Sequence, residues 1–131
     1  MRTTMSRLLV AAIMVSSFTM FAAPANAATD SRWNYTNGCT IVPDVTPWAN
    51  FTSSCNYHDV CYARYPSGAH QYGTNETGRA RCDVQFLGRM DSACEALKWW
   101  DEPPCFATAV AYYNGVRLYG APAYYDYNTI W

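Results

Sequence analysis

No run of lysine or arginine lines up in this 131-residue chain, and only Arg79 and Arg81 stand close together. Nucleic-acid binding wants a basic stripe, so that class of partner is excluded. No alternation of apolar and polar residues is long enough to argue for a substantial sheet, and there is no internal repeat. The cysteines form none of the CxxC pairs of a zinc site, and no GxSxG serine motif occurs. The one strongly apolar run, from Leu8 to about Ala23, is broken by Ser16, Ser17 and Thr19 and followed by Pro24. It falls short of the roughly 20 predominantly apolar residues that a membrane span needs.

That run has a different use. Arg2 and Arg7 precede it, and the small residues Ala25 and Ala27 follow it. This is the layout of a secretory signal peptide over residues 1–27, with cleavage expected after Ala27 and a secreted product. Removing it leaves 104 residues, 28–131, enough for one small domain. Two arginines leave with it, so seven basic residues face ten acidic ones, a formal charge of −3. All six cysteines (39, 55, 61, 82, 94 and 105) lie in the mature part. An exported domain with an even count pairs them as disulfides, each adding about 2–4 kcal/mol to a core too small to be secure alone.

The fold class read from the pattern is mainly α, with two long antiparallel helices. A first helix fits Ser54 to about Tyr65, capped by Ser53 or Ser54 and stopped by Pro66-Ser67-Gly68. A second fits Glu76 to about Trp100. Its apolar stripe runs Phe86, Leu87, Met90, Cys94, Leu97, and Asp101-Glu102-Pro103-Pro104 ends it. A shorter third covers Cys105 to Leu118, and the tail after it is aromatic.

The stripe of the second helix, followed backwards, reaches Asp83: a carboxylate stands where a core residue belongs. Burying a lone charge is costly, so Asp83 needs a partner. If Cys61 and Cys82 are bridged, residue 58 of the first helix lies opposite about 85, roughly two residues' rise from Asp83. His58 is then the partner, with the aspartate holding the imidazole in one tautomer. If Cys39 bonds Cys55, it pins the Asn37-Gly38 turn one helical turn from Asp59. The Gly38 carbonyl, the Asn37 side chain and the Asp59 carboxylate then converge. An all-oxygen set of this kind suits Ca²⁺ better than a transition metal.

The segment C-N-Y-H-D-V-C-Y, residues 55–62, resembles the C-x-x-H-D-x-x-Y motif of secreted phospholipases A2, and its short form is similar to the bacterial and fungal branch. The resemblance continues in N-G-C-T-x-x-P-D from Asn37, in the aspartate of R-C-D-V-Q-F, and in Cys94 and Cys105, over roughly residues 37–119. It implies a calcium-dependent hydrolase of the sn-2 ester of glycerophospholipids, releasing a fatty acid and a lysophospholipid. In it His58 would activate a water, Asp83 would orient His58, and Asp59 with the Gly38 carbonyl would hold Ca²⁺. The missing serine motif agrees with attack by water. The resemblance also supports Cys39–Cys55 and Cys94–Cys105, whereas Cys61–Cys82 rests on the helix geometry. The relatives usually carry aspartate where this chain has Asn37, so calcium affinity is expected to be weaker here.

Phospholipid at a membrane or micelle surface is the expected partner, and the protein is expected to be a monomer. Tyr62 is placed either against Asp83 or in the core. Trp48 and Phe51 border the turn, as acyl-channel lining or as core. Asp44 reads as a turn residue before a further loop oxygen, and His70 is assigned no role. Tyr124, Tyr125, Tyr127 and Trp131 sit at a lipid boundary or cover a helix groove. The rival function is a lipid-binding or partner-binding toxin or effector on the same scaffold with impaired metal binding.

Overall fold

The computed structural model describes residues 31–126. A short 3-10 helix, Ser31–Tyr35, is followed by a loop and by four α-helices: α1 Thr52–Tyr62, α2 Glu76–Glu95, α3 Glu102–Tyr119 and α4 Ala121–Tyr125. Among the described residues the only β-pairing is an isolated bridge between Val45 and Asn50. The mainly helical reading holds, and α1 and α3 both pack on α2, sharing one core with it.

The boundaries differ from the sequence expectation for local reasons. Helix α1 begins at Thr52 with no side-chain cap, so Ser53 and Ser54 lie inside its first turn. It ends at Tyr62, where Ala63 turns extended, well before Pro66. Helix α2 starts as expected, with the Asn75 side chain accepting from the Gly78 N–H. It stops at Glu95, about five residues early, because the Cys94–Cys105 bridge needs the chain to reverse at once. Pro103 and Pro104, read as a stop, instead open α3 from its first turn. A missing N–H costs nothing there, since the first amides of a helix have no intrahelical acceptor. The aromatic tail contributes α4.

All three cysteine pairs are bridged: 39–55, 61–82 and 94–105. Two of the bridges lie in a core cluster with Phe51, Phe86, Met90, Ala109 and Tyr112, where α1, α2 and α3 meet. The third, Cys61–Cys82, joins α1 to α2 beside Tyr62 and Tyr124 in a smaller cluster. Close to the Cys61–Cys82 bridge, His58 of α1 and Asp83 of α2 are both buried. The signal-peptide segment, Tyr127 and Trp131 lie outside the described residues.

Candidate active site

Helix α1 carries His58 and Asp59 side by side, and α2 brings Asp83 to the same depth one residue after Cys82. Asp83 is fully buried. Its Oδ1 takes the His58 Nε2–H at 2.8 Å and the Tyr62 hydroxyl at 2.6 Å. Its Oδ2 takes Arg117 Nη1 at 2.6 Å, with Arg79 Nη1 at 3.6 Å. Burial alone would push this carboxyl up, but the hydrogen bonds from His58, Tyr62 and Arg117 outweigh it and hold Asp83 below the ordinary carboxylate range. With Asp83 ionised, the proton of neutral His58 belongs on Nε2, which leaves Nδ1 as the basic nitrogen. Burial lowers the His58 pKa despite the hydrogen bond and charge of Asp83, which oppose it.

Behind the pair lies a second layer that sequence reasoning missed. Glu76 forms a bidentate ion pair with Arg79, at 2.9 and 3.0 Å, and also pairs with Arg117. The two guanidiniums hold Glu76 down at about 2. Tyr125 donates to Glu76 at 2.9 Å and so ties α4 to the layer. The spacing Glu76, Arg79, Asp83 on one helix was a legible signal, being i, i+3 and i+7. Arg117, 34 residues further on, had none.

The loop before α1 meets the same wall. Gly38 has φ +80°, and a Cβ there would lie 2.5 Å from Asp44 Oδ1, so the turn requires glycine. Asp44 accepts from the Cys39 N–H and its carbonyl accepts from Phe51 N at 2.7 Å, which makes it the turn residue expected. The Gly38 N–H donates to Asn56 Oδ1 at 2.8 Å, and Asn37 N donates to Asp59 Oδ2 at 3.3 Å. The Asn37 side-chain oxygen accepts from Thr40 Oγ1 at 3.1 Å. Asn37, Gly38 and Asp59 are therefore neighbours.

Burial above all pushes Asp59 up to about 6, against the hydrogen bond from the Asn37 N–H, and the charge of Asp44 adds a smaller push in the same direction. The Asp59 carboxylate beside the Asn37-Gly38 turn offers oxygen donors of the kind that suit a hard divalent cation. Cys39, Cys55 and Asp44 also cluster, but the two sulfurs are spent in their own bridge and offer no thiolate.

Beside the pair lies a cavity of about 140 Å³, lined by His58 and Asp59 and by Ile41, Phe86, Tyr112 and Tyr119 among others. Gly120 borders it, and a Cβ there would meet the Tyr62 hydroxyl at 2.9 Å. Phe51 is core, Trp48 is half exposed, and neither lines the cavity. His70 is buried rather than idle: it stacks on Tyr124 and bonds Arg64 at 3.1 Å. Tyr124 is fully buried, donating to the Gly73 carbonyl, so it covers a groove and not a lipid boundary.

A disulfide-stapled helical domain with a buried His–Asp pair beside an apolar cavity is the class that this geometry defines. The prokaryotic phospholipase A2 family model matches residues 9–120, most of the chain, and the protein belongs to that family. No curated protein and no solved structure matches it. Phospholipase A2 activity is the function that this membership supports at the level of the family.

Proposed function

We propose that the chain is exported behind a signal peptide cleaved after Ala27, and that residues 28–131 act as a calcium-dependent phospholipase A2. The substrate is a glycerophospholipid, cut at its sn-2 ester. The observation that carries this reading is the 2.8 Å contact between His58 Nε2 and Asp83 Oδ1, with His58 and Asp59 both lining one apolar cavity.

His58 Nδ1 takes a proton from water as the water oxygen bonds to the ester carbonyl carbon, and Asp83 stabilises the imidazolium that results. The same nitrogen then returns the proton to the departing glycerol oxygen as the ester C–O bond breaks. One water and one ester become a fatty acid and a lysophospholipid, with no residue left modified. Tyr62, Arg79 and Arg117 hold the orientation of Asp83. Asp59, the Gly38 carbonyl and Asn37 would hold Ca²⁺, whose charge, when bound, polarises the carbonyl and offsets the negative oxygen of the transition state. The cavity walls receive the acyl chain and exclude water.

The test is fatty-acid release from mixed-micelle phosphatidylcholine by the oxidised mature protein, with calcium and then with chelator. Release that stops with chelator and on His58→Gln is expected. Folded protein that releases nothing at any calcium level would overturn the enzyme reading in favour of a lipid-binding or partner-binding role.

A further inference from the structure

Helix α3 has an outer face that meets the site at Ala111, which also lines the cavity. Pro103, Ala107, Val110, Ala111, Asn114 and Leu118 are all exposed. Their spacing of three and four puts them on one side of the helix, along about 22 Å. From Pro103 to Val116 the helix has no charged residue at all, and Arg117, which follows, is turned to Asp83 and Glu76. At the head of this face, in the turn before α3, Trp99 and Trp100 are 76% and 53% exposed. They pack edge to face at 5.5 Å, with Lys98 Nζ 5.2 Å from the Trp100 ring centre. At its foot, Leu118 and Tyr119 are 72% and 66% exposed.

We propose that this face of α3, headed by Trp99 and Trp100, is a docking surface for a zwitterionic phospholipid bilayer. It rests on the function proposed above only for the identity of what enters the cavity. The occupant follows from continuity: Ala111 lies on the exposed face and also lines the cavity, as does Tyr119. A second copy of the chain seated here would close that mouth, whereas a lipid surface would feed it. Tryptophan suits the headgroup level of a bilayer, where an apolar ring with one polar N–H finds both environments. The charges around the pair are mixed, Lys98 against Asp101 and Glu102, so headgroups bearing both signs match better than a purely anionic surface.

The experiment sediments the full oxidised protein with phosphatidylcholine vesicles in chelator, so that no turnover intervenes. Trp99→Ala with Trp100→Ala, and separately Val110→Asp, are compared with Val84→Asp on exposed α2. The first two should weaken vesicle binding at least about tenfold, and the third should not. All three should hydrolyse a monomeric short-chain phosphatidylcholine at the wild-type rate. Wild-type protein that stays in the supernatant, or face variants that sediment as wild type does, would overturn the proposal. So would a dimer in solution that Val110→Asp dissociates, or equal loss of monomeric turnover in the face variants. Vesicle binding that depends on this face in a protein without monomeric turnover would support the docking surface while removing the enzyme reading.

Discussion

Two aspartates in this molecule stand within one site and are driven in opposite directions. Asp83 is fully buried yet held below the usual carboxylate range, because two side chains bond one oxygen and a guanidinium bonds the other. Asp59 is less buried yet pushed up to about 6, because burial costs it more than the single N–H of Asn37 at 3.3 Å returns, and Asp44 adds a like charge. Depth therefore does not set the charge of a carboxylate; the supply of donors does. The chain itself satisfies Asp83. Asp59 is left as an anion that a cation would stabilise, which is the electrostatic support for the Ca²⁺ role proposed for it.

Substitutions at the two ends should separate them. The largest effect is expected at His58, where His58→Gln should lower turnover by about 10²–10⁴-fold while thermal unfolding stays near wild type. An equal loss of stability would show that the histidine is structural. Asp83→Ala leaves Arg79 and Arg117 facing a buried gap and should cost about 3–5 kcal/mol in denaturant unfolding. Asp59→Asn, measured without calcium, should leave stability unchanged or raise it. Similar losses for the two would break the contrast.

Replacing Cys61 and Cys82 together by alanine should cost about 2–4 kcal/mol and loosen the His58–Asp83 contact, visible as lower turnover with calcium affinity retained. Asn37→Asp adds an anion to the loop and should raise calcium affinity about tenfold in a titration; unchanged affinity would remove Asn37 from the ligand set. The smallest effect is the pH dependence of that affinity. A carboxylate raised to about 6 is ionised at pH 7 and mostly protonated at pH 5, where calcium must displace the proton. Affinity should therefore fall by about tenfold over that interval, and a flat profile would argue against Asp59 as a ligand.

Much of this was legible beforehand. Asp83 betrayed itself by interrupting an apolar stripe, and a Cys61–Cys82 bridge, supposed from the sequence and present in the structure, set the two helices against each other. Boundaries were less legible: Pro103-Pro104 reads as a stop or a start depending on which side the chain reverses, and a disulfide decides that. The tail aromatics were ambiguous in the same way, since a tyrosine that stacks on a buried histidine and one at a lipid surface have the same composition.

Local pattern and spacing, taken alone, determined the helical class and marked Asp83 as a buried carboxylate in need of a partner, with His58 as that partner once Cys61 and Cys82 are taken as bridged. These depend on periodicity and short separations, which a linear string records. Only the tertiary structure decided that Arg117 and Glu76 complete the support of Asp83, that Asp44 and Asp59 share a field, and that α3 presents an uncharged face leading to the cavity. Each of these joins residues far apart in the chain, through burial and charge that exist only once the helices have packed.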